Sequence, residues 1–253
     1  MYGLAYSLED CHVKGKLHTQ SEVESGILEL LGIKDMETAA HCVRVGVYTE
    51  MLAEVLYIAG YENHALKRQS PEELGAAALL HDVGKLAVRK KLLKRPGCLT
   101  PKERKELQQH TVRGEDILRK LEKHDRTLRF EMARELAVFH HERWDGEGYP
   151  RGIAGTQIPL VARIVAVADV LDALLSDRCY RRSLSFSRAV QMICQQAGAQ
   201  FDPGICEIFR ECRECFSPHR AGQYGGEFPN KEKWKDCVYG NSKTIKRSTD
   251  YRV

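Results

Sequence analysis

The sequence predicts an all-α fold, and three observations support this. Two segments, Ser70-Pro71-Glu72-Glu73 and Thr100-Pro101-Lys102-Glu103, combine a hydroxyl cap, a first-turn proline and a glutamate three residues after the cap. Apolar residues recur at helical spacing along much of the chain, and they are almost continuous over 158–175. No segment of useful length alternates between apolar and polar residues as a half-buried strand does.

The N-terminal half is predicted to contain four helices. The first two, 21–31 and 36–59, rest on the spacing of their apolar residues. The third and fourth, 71–81 and 101–122, begin at the two cap segments. Gly84 lies just beyond the third helix, where glycine can end it.

The C-terminal half is predicted to contain four more helices. The first of these, 129–140, ends before a glycine-rich loop at 142–150, and such a loop lets backbone approach a ligand closely. The long apolar run predicts the next helix, 159–176, and two shorter helices follow at 186–197 and 203–214.

Length and composition predict one packed domain. A chain of 253 residues is long enough for one well-cored domain with a tail, or for two small domains. We expect a single packed domain over 21–215, an unassigned N-terminal segment over 1–20, and a flexible C-terminal tail over 216–253. In that tail glycine, asparagine, lysine and tyrosine replace most aliphatic residues.

Charge, cysteine content and hydropathy argue against a nucleic-acid-binding, a disulfide-stabilised or a membrane-spanning protein. A formal charge of +4 gives no reason to expect duplex nucleic acid as a partner. The basic run 89–95 is interpreted as a solvated loop, or as a surface that steers an anionic substrate. Nine scattered cysteines indicate reduced thiols; the pair Cys212 and Cys215 has zinc-type spacing, but no second such pair follows. Neither a signal peptide nor a membrane span is indicated, so we expect a cytoplasmic protein without membrane insertion.

Residue types that bind transition metals recur in or beside the predicted helices. They are Glu37, His41, His81, Asp82, His110, His140, His141 and Asp169. Iron, manganese and zinc accept neutral imidazole together with carboxylate, and a site made of both needs several helices to converge. The sequence therefore predicts one polynuclear metal site.

Three details of spacing agree with a metal site. Glu37 and His41 are four residues apart, so on a helix they share one face. Asp82 follows His81 directly, and its two oxygens could bridge two metals about 3.5–4 Å apart. Asp169 lies in the long apolar helix, where a carboxylate is costly unless it binds metal or is paired.

Four motifs occur in a fixed order along the chain. They are His81-Asp82 with Gly84-Lys85, the histidine segment 109–114, His140-His141 leading to Gly148-Tyr149-Pro150, and the aspartate helix 164–174 with the basic exit 177–181. Over roughly residues 20 to 212 this pattern resembles the HD-GYP domain, the branch of the HD superfamily of metal-dependent phosphohydrolases that acts on cyclic di-GMP. The resemblance implies an HD-superfamily helical bundle with a buried polynuclear metal site.

The resemblance also implies a ligand assignment. One metal would be held by His41, His81, Asp82 and Asp169, and the second by Asp82, His110, His140 and His141. Glu37 stands at the position that distinguishes three-metal from two-metal members of the family. The implied cofactors are two or three divalent ions, Fe(II) or Mn(II), with a trinuclear site favoured by Glu37.

Substrate contacts are implied in the same way. Lys85, Arg178 and Arg181 match positions that contact substrate phosphates, and Tyr149 lies beside the guanine-binding cleft. Asp82 and Lys85 are the residues expected to act in catalysis. The chain departs from the family where 86–90 lacks the usual Gly-Ile-Pro sequence, but no ligand is lost.

The implied activity is hydrolysis of the 3′,5′-phosphodiester bonds of cyclic di-GMP to pGpG and on to GMP, which lowers this second messenger. Two alternatives stay open: a phosphohydrolase for another cyclic dinucleotide such as cyclic GMP-AMP, and a non-catalytic module that binds signalling proteins. Candidate partners are a diguanylate cyclase, another signalling protein, or a second copy in a homodimer. Asp172, one turn after Asp169, is either a hydrogen-bond acceptor behind the ligands or a packing residue.

Overall fold

The computed structural model describes residues 22–62, 70–123, 128–177 and 182–217. The α-helices in these ranges are α1 (Glu22–Lys34), α2 (Met36–Ala59), α3 (Pro71–Ala78), α4 (Lys90–Leu93), α5 (Pro101–Gln108), α6 (His110–Glu122), α7 (Leu128–Phe139), α8 (Leu160–Leu175), α9 (Phe186–Gln195) and α10 (Pro203–Glu211). Short 3-10 helices cover Val83–Ala87, Gly155–Gln157 and Arg213–Phe216. The all-α prediction is confirmed, since the described residues form no strand.

The two helix starts predicted from cap signals are confirmed in detail. The Ser70 hydroxyl accepts a hydrogen bond from the Glu73 amide at 3.1 Å, and the Glu73 carboxylate accepts one from the Ser70 amide at 3.1 Å. Thr100 and Glu103 form the same reciprocal pair. Both starts are local features, so the sequence alone determines them.

The helix predicted at 71–81 ends three residues early, at Ala78. Beyond this point the backbone tightens, because the amides of Leu80 and His81 bond to carbonyls three residues back rather than four. The His81 ring also bonds to the Ala78 carbonyl at 2.8 Å. The turn therefore places His81 and Asp82 in the bundle interior, and Gly84 is not what ends the helix.

The single helix predicted at 101–122 is instead two helices that meet at Gln109. The Gln109 amide bonds to the Glu106 carbonyl three residues back, which changes the direction of the chain. Helix α5 has no buried residue, whereas α6 buries His110, Thr111 and other side chains. The break thus lets α6 enter the core while α5 stays on the surface.

Helix α2 is central and packs against α1, α3, α8 and α10. At its contact with α3 the two backbones nearly touch, because a Cβ on Gly46 would lie 2.9 Å from the Gly75 carbonyl oxygen. Helix α6 packs against α7 and the 3-10 turn Val83–Ala87. None of the described helices is long and apolar enough to cross a membrane.

A buried ion-pair network joins the C-terminal helices to the bundle. The Arg163 guanidinium donates to Asp202 at 2.6 Å and to Glu62 at 2.7 Å, and the Tyr61 hydroxyl donates to Asp202 at 2.8 Å. Phe216 is buried, with its ring centroid 5.1 Å from that of Phe209. The packed region therefore includes a residue that the sequence placed in the tail, and residues 218–253 lie outside the described part.

Candidate metal centre

Five elements bring histidine and aspartate side chains together in the bundle interior. His41 comes from α2, His81 and Asp82 from the turn after α3, and His110 from the first residue of α6. His140 and His141 directly follow α7, and Asp169 lies on α8. Most of these side chains are buried, while His141 and Asp169 are partly exposed.

The first group of side chains surrounds one oxygen of Asp82. Asp82 Oδ2 lies 3.3 Å from His81 Nε2 and 3.9 Å from His41 Nε2. His41 Nε2 is also 3.1 Å from Asp169 Oδ1. His41, His81 and Asp169 have the proximity needed to hold a metal ion.

The second group surrounds the other oxygen of the same carboxylate. Asp82 Oδ1 lies 3.3 Å from His110 Nε2 and 3.9 Å from His140 Nε2, and these two nitrogens are 3.4 Å apart. The His141 ring centroid is 4.0 Å from that of His140. His110, His140 and His141 form a second group able to hold a metal ion. Asp82 thus faces one group with each oxygen, which is the arrangement of a bridging carboxylate.

Hydrogen bonds fix the orientation of four of these histidine rings. The Nδ1 atoms of His81, His110 and His140 bond to backbone carbonyls at 2.7–2.8 Å. His41 Nδ1 bonds to the Asp172 carboxylate at 2.7 Å. Because carbonyl and carboxylate oxygens only accept, each Nδ1 carries a hydrogen, and in a neutral ring Nε2 then presents its lone pair to the cluster.

Two buried polar atoms at the centre make no hydrogen bond with the described residues. They are His81 Nε2 and Asp82 Oδ1. Neutral rings that donate through Nδ1 cannot also donate to Asp82, so lone pairs face lone pairs across 3.3–3.9 Å. A divalent cation satisfies all of these atoms, so the donor set fits metal ions held by nitrogen and oxygen.

The pKa values in the metal-free protein agree with this donor set. Burial lowers the pKa of His110 and His140, and it lowers that of His141 to about 3, so these rings are neutral near pH 7. Burial would raise the pKa of Asp82, but the Lys85 ammonium holds it well below its usual value. Asp82 is therefore an ionised carboxylate throughout the physiological pH range.

His41 differs from the other histidines because it contacts two carboxylates. Burial alone would lower its pKa, but Asp169 and Asp172 raise it to about 9. Without metal this ring is a cation near pH 7, and a metal at Nε2 must replace a proton.

Asp172 supports His41 from behind. It is buried, and the Arg44 guanidinium donates to both of its oxygens, at 2.6 and 3.1 Å. Of the two interpretations left open by the sequence, this geometry favours the hydrogen-bond acceptor. Arg44 was missed, although its position three residues after His41 on one helix face was a usable signal.

Of the remaining predicted site residues, two lie at the metal centre, one lies outside both metal-binding groups, and two are not among the described residues. The Lys85 ammonium donates to Asp82 Oδ2. The Tyr149 ring lies 4.8 Å from that of His141, which places it at the edge of the second group. Glu37 is exposed on the first turn of α2, one turn from His41, and is in neither metal-binding group. Arg178 and Arg181 lie outside the described residues.

Cys42 was not among the predicted ligands, yet its thiol lies near His81 and Asp82. It is completely buried, and burial raises the pKa of the thiol well above its usual value. A neutral buried thiol packs as a small apolar group.

Comparison with known proteins identifies the family. A family model described as the HD domain matches residues 36–205. The chain belongs to the HD domain family. Its motifs and relatives place it in the HD-GYP branch of that family.

Two curated relatives illustrate the similarity within the HD domain family. A cyclic di-GMP phosphodiesterase of Vibrio cholerae is 38% identical over 208 residues, which cover 78% of this chain and 42% of the relative. The 3′3′-cGAMP-specific phosphodiesterase 2 of the same organism is 33% identical over 222 residues, covering 87% of this chain and 40% of the relative. The chain thus spans less than half the length of these relatives.

A solved structure supports the fold. The crystal structure of a cyclic GMP-AMP-specific phosphodiesterase from V. cholerae aligns with a TM-score of 0.51 at 18% identity, covering 88% of this chain and 59% of that one. At this identity the likeness supports the HD helical architecture alone.

Proposed function

We propose that this chain is a metal-dependent phosphodiesterase that hydrolyses the 3′,5′-phosphodiester bonds of cyclic di-GMP. The observation that carries the proposal is the position of Asp82, whose two oxygens face two separate groups of histidines with Nε2 directed inward. Two metal ions bridged by a carboxylate are a common solution for phosphodiester hydrolysis. The similarity to proteins named as cyclic di-GMP phosphodiesterases supports the choice of substrate.

We assign the metal ligands as two sets that share Asp82. The first set is His41, His81, Asp82 and Asp169, and the second is Asp82, His110, His140 and His141. Fe(II) or Mn(II) suits these mixed imidazole and carboxylate ligands, since both accept nitrogen and oxygen donors. A third ion near Glu37 is part of the proposal, because that carboxylate is one turn from His41 and is free to rotate at the surface.

When bound, divalent metals lower the pKa of a coordinated water to near neutrality and polarise the phosphate. The rings of His81, His110 and His140 are oriented by their own Nδ1 hydrogen bonds to backbone carbonyls. Asp82 would join the two sets of ligands, because each of its oxygens faces one of them. Lys85 donates to Asp82, and its partly exposed ammonium would also donate to a phosphate oxygen.

Substrate binding is assigned to Lys85, Tyr149, Arg178 and Arg181. The Tyr149 ring lies against His141, where an aromatic face next to the second metal set can stack on a guanine base. The arginines would neutralise phosphates, which they can bind in bidentate fashion. The first product is linear pGpG, and a trinuclear site would continue to GMP.

Cyclic GMP-AMP is the second candidate substrate. Several relatives are named as 3′3′-cGAMP-specific phosphodiesterases, at 30–37% identity. Cyclic GMP-AMP differs from cyclic di-GMP in one base only, and the metal chemistry would be the same for both.

The broader assignments are also proposals. The catalytic domain is 21–215, preceded by the unassigned segment 1–20 and followed by the tail 216–253. A cytoplasmic location, a diguanylate cyclase or other signalling partner, and a homodimer remain predictions.

The test is a substrate panel followed by chromatography of the products. Protein purified without oxygen and loaded with Mn(II) or Fe(II) is incubated with cyclic di-GMP, 3′3′-cyclic GMP-AMP and cyclic di-AMP. We expect cyclic di-GMP to be consumed fastest, with pGpG appearing before GMP. If cyclic GMP-AMP is consumed faster, it becomes the proposed substrate in place of cyclic di-GMP. If the metal-loaded protein consumes none of the three, the proposed activity is refuted.

A further inference from the structure

Glu142 is a buried carboxylate that the ligand assignment leaves without a role. It directly follows His141 and is 3% exposed. None of the ion pairs among the described residues involves it, and its Oε2 makes no hydrogen bond with them. Burying a carboxylate without a cationic partner costs free energy unless hydrogen bonds compensate.

The compensating hydrogen bonds come from the far end of the glycine-rich loop. Glu142 Oε1 accepts from the Arg151 amide at 2.6 Å and from the Gly152 amide at 3.2 Å. Bonds from amides to a carboxylate are charge-assisted and stronger than bonds to a neutral acceptor. The Glu142 side chain thus closes the loop by binding two amides that lie nine and ten residues further along the chain.

The residues just before this far end, Gly148 and Tyr149, are held against the same part of the chain. The Tyr149 amide donates to the His141 carbonyl at 3.2 Å. A Cβ on Gly148 would lie 2.4 Å from the Arg143 amide nitrogen and 2.5 Å from Glu142 Cα, so the loop folds tightly back on this point. Tyr149 is therefore held on both sides, by His141 before it and by Glu142 after it.

The outer part of the loop is fixed separately, on the turn between α9 and α10. The Trp144 amide donates to the Gln200 carbonyl at 3.2 Å, and the Asp145 amide donates to the Ala199 carbonyl at 2.9 Å. These bonds hold Trp144 and Asp145 and do not involve Tyr149. The contacts nearest to Tyr149 are its own amide and ring contacts with His141 and the bonds that Glu142 accepts two and three residues further on.

From these contacts we infer that Glu142 is the positioning residue that holds Tyr149 beside the metal centre. Its acceptor oxygen clamps the backbone after Tyr149, and its place in the chain, next to His141, ties that clamp to the second metal set. The inference rests on the proposed function only for what Tyr149 does to a substrate. The clamp itself is a property of the loop.

The test compares Glu142→Ala with Glu142→Gln, using Glu147→Ala as a control. Alanine removes the acceptor, whereas glutamine keeps one acceptor oxygen, loses the charge and places an NH2 group where Oε2 makes no hydrogen bond with the described residues. Glu147 is an exposed glutamate in the same loop. Three quantities are measured: amide hydrogen exchange of the segment 148–152, metal content, and kcat and KM for cyclic di-GMP.

In Glu142→Ala we expect exchange over 148–152 to accelerate about tenfold or more, because two amides lose a charged acceptor. KM rises about tenfold with kcat and metal content nearly unchanged, since Tyr149 contributes to binding and not to the chemical step. Glu147→Ala stays within about threefold of wild type in all three quantities, whereas Glu142→Gln falls between wild type and Glu142→Ala, because it keeps an acceptor but loses the charge.

Wild-type exchange rates in Glu142→Ala would overturn the inference, as would a Glu142→Gln variant as impaired as Glu142→Ala. Metal loss in Glu142→Ala together with a parallel fall in kcat would show a role at His141 instead. If wild-type protein hydrolyses no cyclic dinucleotide, the proposed function fails for every variant alike. The exchange measurement on the metal-loaded protein then still decides whether Glu142 holds the loop.

Discussion

Replacing Asp172 with alanine should weaken metal binding, although Asp172 is not itself a proposed ligand. Its carboxylate accepts the His41 Nδ1 hydrogen at 2.7 Å and takes two bonds from Arg44. Without this acceptor the His41 ring is free to turn, and Nε2 no longer points at Asp169 and Asp82. Residues that orient metal ligands in this way contribute about 10–100-fold to metal affinity.

Two opposing effects determine how much metal affinity Asp172→Ala should lose. A hydrogen bond between a buried group and a charged partner is worth about 1.5–3 kcal/mol, or about 10–150-fold in affinity. Against this, Asp172 helps to raise the pKa of His41 to about 9, so in wild type a metal must displace a proton. That competition is weakest at high pH, and the penalty on wild-type binding grows as the pH falls. Asp172→Ala should therefore bind metal about tenfold more weakly at pH 8.5, and the difference should narrow at pH 7.

The assay is an anaerobic Mn(II) titration by competition with a chelator at both pH values. Asp202→Ala is the matched control, because Asp202 is equally buried and also accepts bonds from an arginine, Arg163, and from a second side chain. Both substitutions break a buried ion pair and should lower Tm. Only Asp172→Ala should lose metal affinity; wild-type or tighter binding by this variant at pH 8.5, or an equal loss in Asp202→Ala, would refute the reasoning.

Three further predictions concern other parts of the molecule. Gly84→Ala should lower the free energy of unfolding by about 3 kcal/mol or more, because the new Cβ would lie 1.8 Å from the His110 carbonyl oxygen. Gly26→Ala is the control: its new Cβ would have nothing within 4 Å, so this variant should be neutral or slightly stabilising. Urea unfolding measures both. Burial and neighbouring acids raise the pKa of Glu50 from 4.5 to about 8, so between these pH values the folded state holds a proton that the unfolded state has lost. Stability therefore falls as the pH rises through this range, and Glu50→Gln should remove up to about 5 kcal/mol of that pH dependence. Glu37→Gln should lower the metal content by one ion per chain, measured by elemental analysis, and should stop hydrolysis at pGpG; unchanged metal content would remove the third ion from the proposal.

The parts of the fold that the sequence predicted well are local. Ser70 and Thr100 begin helices because the cap and its partner glutamate are three residues apart, and both pairs form as expected. The helix break at Gln109 was missed because helical periodicity continues through it. The break follows from the burial of α6 in the core, which depends on segments distant in sequence.

The candidate site shows the same division between local and distant features. Residue type and order, with the resemblance to the HD-GYP domain, selected the histidines and Asp82, and the structure places these side chains together; their role as metal ligands stays a prediction. Residue type and order could not reveal that Asp172 bonds His41 from 131 positions away, or that Glu142 accepts amides from the end of its own loop. Those contacts depend on how α2 meets α8 and on how a glycine-rich loop folds back.

The measurement that tests the central claim most directly is metal content and turnover of Asp82→Asn beside wild type. Asparagine keeps the size of the side chain, but it is neutral and has an NH2 group in place of the second oxygen that would join the two sets of ligands. We predict that wild type holds two or three Mn(II) per chain and converts cyclic di-GMP, and that Asp82→Asn loses at least one ion and the activity. An Asp82→Asn protein with wild-type metal content and turnover would contradict the account, because its metal centre would not depend on the bridge.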